Sequence, residues 1–149
     1  MIKDNEILYL KVKGDRPDFR IIRVFIWGEH HNTDSDGDSY NPASRTWTEL
    51  YIASREVRNE YVDIYPVTLE PLVLEIQSPD IELTKQVTLF LAEETNSDIF
   101  RDETLLILLT QEELRSSISF NDFDIRSKRT KDSIWRQSTL ENPYPNMSE

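Results

Sequence analysis

The chain of 149 residues has no cysteine, only three glycines and only two histidines. Without cysteine it cannot form disulfides, thiolate metal sites or a cysteine nucleophile. The glycines, Gly14, Gly28 and Gly37, stand far apart, so there is no glycine-rich loop to hold nucleotide phosphates. The Gly-x-Ser-x-Gly elbow of many serine hydrolases is also missing. We therefore predict that the protein is not an enzyme.

Long apolar runs are missing as well, because acidic or basic residues interrupt every apolar segment before it reaches membrane-spanning length. Residues 1–6 carry lysine, aspartate and glutamate and lack the apolar core of a secretory signal. We expect a cytoplasmic, soluble protein that does not contact a membrane.

Acidic residues dominate the charge: 28 aspartates and glutamates face 17 lysines and arginines, which gives a formal net charge of −11. Such a surface repels nucleic-acid phosphates and anionic lipids, and it attracts cationic proteins. We therefore expect no nucleic-acid binding and a basic protein as partner. The length suits one domain with a single core.

A strand followed by a helix organises the chain. Residues 72–77 alternate apolar and polar side chains, which predicts a half-buried strand. From about residue 79 to residue 95 the apolar residues are spaced by three and four, which predicts an amphipathic helix. Ser78 is a candidate N-cap, Pro79 suits the first turn, and Asn96 is a plausible stop.

Other strands are predicted at 6–13, 19–27, 46–54 and 60–67. Residues 19–27 are almost continuously apolar and β-prone, which favours a central strand covered on both faces. A proline at position 66 indicates that 60–67 is an edge strand or ends there.

Residues 104–109 are too short for periodicity to separate strand from helix, and we favour a strand. The pair Thr110 and Glu113 fits a capping box, so a short second helix is predicted to run to about Ser117. The alternative merges both pieces into one helix that begins at Asp102.

These elements predict an α+β fold: a mainly antiparallel sheet of five to six strands, with one main helix packed on one face. We expect a single domain over residues 1–120 and a basic, partly docked tail over 121–149. Within residues 125–149 five basic residues face three acidic ones. Ile134, Trp135 and Leu140 are the expected anchors of the tail.

One loop resembles a cation-binding sequence. Its candidate ligands are Asn32, Asp34, Asp36 and Asp38. A calcium loop places oxygen ligands at positions 1, 3 and 5, a glycine at 6 and a glutamate at 12. When Asn32 is position 1, Gly37 fits position 6, but position 12 is Ala43 instead of glutamate. When Asp34 is position 1, positions 6 and 12 are Ser39 and Arg45, so this register fails as well. We interpret the segment as an acidic surface loop. The alternatives are a weak calcium site and a metal-dependent enzyme built on residues 29–38.

Aromatic residues recur at alternate positions of two predicted strands, at Trp47, Tyr51, Tyr61 and Tyr65. We favour the interpretation that they pack under the helix as core, because large aromatic side chains mostly serve packing. In the alternative they face water beside acidic residues and form a protein interface. The candidate partner-binding residues are then Glu49, Tyr51, Tyr61, Asp63, Tyr65 and Glu75.

These observations favour a small acidic protein-binding module without a cofactor. It would act as an inhibitor or immunity-type protein that neutralises a basic partner such as a bacterial toxin. The alternative is a structural subunit of a bacterial or phage assembly that self-associates through its tail. The candidate tail contacts are Arg126, Lys128, Arg129, Lys131 and Trp135.

Overall fold

The computed structural model describes residues 7–145. Two predictions concern residues outside this range: that residues 1–6 form no signal segment, and that the tail continues over residues 146–149. None of the described helices is both long and apolar enough to cross a membrane.

A seven-stranded antiparallel sheet forms the framework of the described chain. The strands are β1 (Leu8–Lys11), β2 (Thr33–Gly37), β3 (Leu50–Ser54), β4 (Tyr61–Leu69), β5 (Leu72–Gln77), β6 (Asp98–Phe100) and β7 (Leu108–Leu109). Their spatial order is β2-β3-β4-β5-β1-β6-β7. The α+β class is confirmed, and the predicted count of five to six strands is too low.

Four α-helices replace the single main helix and short second helix that the sequence predicted. They are α1 (Phe19–Trp27), α2 (Ile81–Thr95), α3 (Gln111–Arg115) and α4 (Phe120–Arg129), with short 3₁₀ helices at Asp38–Tyr40 and Ile134–Gln137. Helix α2 packs on β1, β5 and β6, and α1 packs on α2 and α4. The core lies between this helical layer and one face of the sheet.

The prediction of a central strand at residues 19–27 is wrong, because this segment is helix α1. Seven of its nine residues are buried, so the helix is covered almost all round. A continuous apolar run is compatible with a helix that is buried all round and with a strand that is covered on both faces. Periodicity therefore does not distinguish the two structures. The N-terminal signal was present in Asp18, whose carboxylate accepts the backbone N–H of Arg20 at 2.8 Å.

Helix α2 follows its prediction closely. It begins at Ile81, and its N-cap is Asp80 rather than Ser78, since the Asp80 carboxylate accepts the N–H of Glu82 at 3.0 Å. Asn96 ends the helix in the left-handed conformation, with φ of 53°. The capping box at Thr110 and Glu113 is confirmed and starts α3.

The prediction that 60–67 is an edge strand or ends at Pro66 is wrong for the strand as a whole, because β4 lies inside the sheet and runs to Leu69. At Pro66 itself, however, β4 has a paired neighbour on one side only. The proline sits past Ile64, the last β4 residue paired with β3. Beyond that point only the β5 side of β4 is paired, and the register shifts between Pro66 and Thr68. A missing N–H is tolerated where one side of the strand has no neighbour.

The C-terminal residues share the core of the domain. Arg129 of α4 donates from Nε to the Val24 carbonyl at 2.8 Å and from Nη2 to the Phe25 carbonyl at 2.9 Å, at the end of α1. Trp135 is buried, whereas Leu140 is 71% exposed.

Of residues 104–109, only Leu108–Leu109 form a strand.

Candidate functional site

One face of the sheet is turned away from the helices. Side chains of successive strand residues point to opposite faces, so each strand contributes to both. The inward side chains are buried and include Leu8, Leu10, Leu50, Ile52, Val62, Ile64, Leu74 and Ile76. The outward side chains between them are tyrosines and carboxylates. We call seven of these the acid-tyrosine face: Tyr9, Asp36, Tyr51, Tyr61, Asp63, Tyr65 and Glu75.

Strand register brings these residues into two rows. In the first row Asp36 lies opposite Tyr51, and Tyr51 lies opposite Asp63. In the second row Glu75 lies opposite Tyr65 on one side and opposite Tyr9 on the other. Directly opposed side chains on one face are about 5 Å apart at Cβ, so acids and tyrosines alternate as neighbours.

The tyrosines are partly open to solvent. Tyr51 is 38% exposed and Tyr65 is 53% exposed. The rings of Tyr51 and Tyr61 lie with their centroids 5.3 Å apart, tilted against each other. The favoured interpretation, that these tyrosines pack under the helix as core, is therefore wrong. They face water beside acidic residues, and the protein interface of the alternative stays a prediction.

Trp47 does not belong to this face. It precedes β3 and is buried, with only 2% of its surface exposed. Its Nε1 donates to the Pro17 carbonyl at 2.7 Å. The period-2 pattern fails here because residues 46–49 lie outside the strand, which begins at Leu50.

The carboxylates of the face are partly desolvated. Burial raises the pKa of Asp63, and a hydrogen bond from Gln77 opposes this effect. Burial also raises the pKa of Glu75, and the nearby carboxylates of Asp63 and Glu103 raise it further. A cation placed between these acids would relieve both the desolvation and the repulsion.

Two residues of the neighbourhood were not found by sequence reasoning. Tyr9 joins the face from β1, and burial, followed by the charges of Glu75 and Glu103, raises its pKa. Phe100 of β6 lies directly opposite Tyr9. The alternation of Leu8, Tyr9 and Leu10 indicated that Tyr9 points away from the core, but it did not indicate which strands lie beside β1.

Glu49 is the one candidate partner-binding residue that is not part of the acid-tyrosine face. It is exposed and lies just before β3. Its carbonyl accepts the N–H of Asp38 at 2.7 Å. This contact holds the start of β3 against the end of β2, so Glu49 borders the first row of the face.

The acidic loop is corrected in part, because Thr33–Gly37 forms the edge strand β2 rather than irregular surface chain. Charged residues on an exposed edge disfavour pairing with another sheet. Asp34 lies 3.4 Å from the Arg55 guanidinium, and Asp38 accepts the N–H groups of Thr48 at 2.8 Å and Glu49 at 3.2 Å.

The candidate calcium ligands are spread along this strand, with Asn32 before it and Asp38 after it. Within residues 7–145 no group of three or more histidine and acidic side chains is arranged to hold a metal ion. His31 is directed elsewhere: its Nε2 lies 2.7 Å from the Ser54 hydroxyl, and its ring stacks on Trp27.

The candidate tail residues lie in the helical layer. Arg126 is 3.6 Å from Asp122, and Lys128 is 3.0 Å from Asp124, both one turn apart on α4. Lys131 is exposed. Arg129 binds the end of α1, and Trp135 packs under the Arg20 guanidinium, whose central carbon lies 4.0 Å from the indole ring centre.

Comparison with protein-family models, with curated proteins and with solved structures finds no match for this chain.

Proposed function

We propose that this protein is a small acidic binding module of the inhibitor or immunity type, and that it neutralises a basic protein through its acid-tyrosine face. The observation that carries the proposal is the position of this face. It lies on the side of the sheet opposite the helices, with Tyr51 and Tyr65 partly exposed between carboxylates.

The chemistry of the face suits a cationic protein surface. Tyrosine offers a large apolar ring with a polar tip, which is why it is enriched at interfaces. Asp63 and Glu75 give up part of their hydration in the free protein, as their raised pKa values indicate. A lysine or arginine of the partner would replace the lost water and pair with them.

The net charge of −11 adds long-range attraction. Charge complementarity of this kind accelerates encounter with a basic partner and disfavours acidic ones. The face also lies on regular paired strands, so little conformational freedom is lost when it is covered. A partner that itself binds an anionic substrate, such as a nuclease-like toxin, would present the complementary surface.

The alternative of an assembly subunit with a tail clasp has less support. Arg129 already binds two carbonyls of α1, and Trp135 is buried against Arg20. Using them in a neighbouring subunit would require these contacts to break. The alternative stays a prediction, and no contact of the described chain favours it over the face.

The test is affinity capture from source-cell lysate with the wild-type protein and with a face variant. The face variant carries Asp63→Asn, Tyr65→Ala and Glu75→Gln, which removes two charges and one exposed ring. We expect the wild type to retain a basic protein that elevated salt releases and that the face variant does not retain.

A matched control removes the same chemistry from the helical layer. It carries Glu112→Gln, Phe120→Ala and Asp132→Asn, three exposed positions of which Phe120 is 50% exposed. It should retain the partner as the wild type does. Retention of the same basic protein by the face variant and its loss by the control variant would refute the proposal.

A further inference from the structure

A cleft opens where α1 meets strand β2 and the 3₁₀ helix Asp38–Tyr40. It has a volume of about 330 Å³. We call it the arginine cleft, defined by Arg20, Arg23, Ser35, Ser39, Tyr40 and Tyr144. Although the chain has 28 acidic residues, no carboxylate is among the described residues that line it.

Arg20 brings an incompletely paired cation to this cleft. The residue is only 5% exposed. Its Nε and Nη2 donate to the Asp18 carboxylate at 2.9 and 2.7 Å, but its buried Nη1 has no acceptor within the described chain. An unpaired N–H of a buried charged group is costly, and an acceptor supplied by a ligand would remove that cost.

Two aromatic rings lie close to the Arg20 guanidinium. Its central carbon lies 4.0 Å from the ring centre of Trp135 and 5.2 Å from that of Tyr144. Trp135 is buried, whereas Tyr144 is 47% exposed at the cleft. The guanidinium is therefore fixed in place by the core, and the exposed ring is the one that a ligand would displace or contact.

Arg23 lies one turn further along α1, on the same side of the helix. Its Nη1 donates to the His31 carbonyl at 3.4 Å, and most of its five N–H groups have no protein acceptor among residues 7–145. Burial lowers its pKa, and the negative charges of Glu29 and Asp18 oppose this effect. Asp18 is engaged by Arg20, so Arg23 supplies the excess positive charge.

Two hydroxyls complete the donor set. Ser35 lies on β2 and Ser39 on the following 3₁₀ helix, and both line the cleft. Neither side chain forms a hydrogen bond with another described residue. Across the mouth, Tyr40 is 86% exposed and presents an uncovered ring.

We propose that the arginine cleft binds an oxyanion, a phosphate or a carboxylate group. Arg23 binds it through its planar N–H fork, and Arg20 Nη1, Ser35 and Ser39 supply further donors. Tyr40 and Tyr144 contact the part of the ligand that carries the oxyanion. This site is separate from the acid-tyrosine face and has the opposite charge.

The experiment is an NMR titration of the isotopically labelled full chain with sodium phosphate, sodium acetate or sodium chloride at constant ionic strength. We expect saturable shifts of the Ser35, Ser39 and Tyr40 amides with phosphate, with acetate or with both, and none with chloride. Saturation by phosphate alone assigns the site to phosphate groups, and saturation by acetate alone assigns it to carboxylates. Shifts no larger than those with chloride would overturn the proposal.

Three variants locate the binding. Arg23→Gln removes the charge-assisted bonds and should weaken binding at least about tenfold. Ser35→Asp places a negative charge at an exposed cleft position and should abolish the saturable shifts without changing the thermal unfolding temperature by more than about 2 °C. Arg55→Gln removes the same charge from an exposed site outside the cleft and should bind as the wild type does. Unchanged binding in both cleft variants would also overturn the proposal.

Discussion

Replacement of Arg129 by methionine tests how the C-terminal helix is fixed to the domain. The side chain reaches from α4 to the end of α1 and donates to the Val24 and Phe25 carbonyls at 2.8 and 2.9 Å. The Val24 carbonyl also accepts the backbone N–H of the cap residue Gly28 at 2.8 Å, so Arg129 is a second donor to it. A cation placed at the end of a helix also interacts favourably with the helix dipole. Arg129→Met keeps an apolar stem of similar reach and removes only the donors.

The structure sets the expected size of this effect. A hydrogen bond from a charged group contributes about 1.5–3 kcal/mol, and Arg129 makes two to the end of α1. Burial, with Arg126 nearby, lowers the pKa of Arg129, which indicates a desolvation cost that offsets part of the gain. We therefore expect a loss of about 2 kcal/mol in the free energy of unfolding, or roughly 4–8 °C in Tm for a chain of this size.

Urea denaturation and calorimetry measure both quantities. The matched control is Lys128→Met, one residue earlier on α4, where the exposed lysine pairs, among the described residues, only with Asp124 at 3.0 Å. An exposed pair of this kind contributes at most about 0.5 kcal/mol. Equal unfolding free energies for the two variants would refute the argument that Arg129 secures α4 to α1.

Three smaller predictions concern other parts of the fold. Gly37→Ala should cost roughly 1–3 kcal/mol by urea denaturation, because φ is 81° and the new Cβ would lie 2.6 Å from the Glu49 carbonyl oxygen; Gly14→Ala, with φ of 74° and open space around it, should cost less. Thr110→Ala should cost about 1 kcal/mol in the same assay by removing the capping box of α3. The folded-state pKa of Asp63 is raised, so the contribution of this one group to wild-type stability falls as pH rises from below 3.8 through that pKa. Asp63→Asn should therefore raise Tm by up to about 2 °C at pH 7, and this gain should vanish below pH 3.8.

The sequence was sufficient to predict those helices and strands whose residues follow a clear local pattern. The alternation around Glu75 predicted β5, and the spacing that ends at Asn96 predicted α2 and its stop. The pair Thr110 and Glu113 predicted the start of α3 from side-chain chemistry alone. These features depend on contacts within a few residues, which the sequence shows directly.

Helix α1 and strand β2 depended on contacts that the local sequence does not show. A run such as Phe19–Trp27 suits any element that is covered on all sides, and its surroundings come from α2 and α4. Strand β2 lacks apolar alternation because it lies at the edge of the sheet, where β3 provides its partner. Burial and pairing, rather than propensity, decide both structures.

The candidate interface was predictable in composition but not in exposure. The positions of Tyr51, Asp63 and Tyr65 on one side of their strands follow from the period of two. Which side the helices cover is a property of the whole fold, and here α2 packs on the opposite face. The arginine cleft gave no sequence signal, since α1 and the chain around Ser39 meet only in three dimensions.

Hydroxyl-radical footprinting of the six tyrosines, with and without the captured basic partner, tests whether the acid-tyrosine face is the surface that the partner covers. Tyr51 and Tyr65 lie on the acid-tyrosine face, whereas Tyr40 and Tyr144 line the arginine cleft and serve as internal controls. We expect the partner to protect Tyr51 and Tyr65 from oxidation and to leave the oxidation of Tyr40 and Tyr144 unchanged. Protection of Tyr40 and Tyr144, with Tyr51 and Tyr65 unprotected, would contradict it.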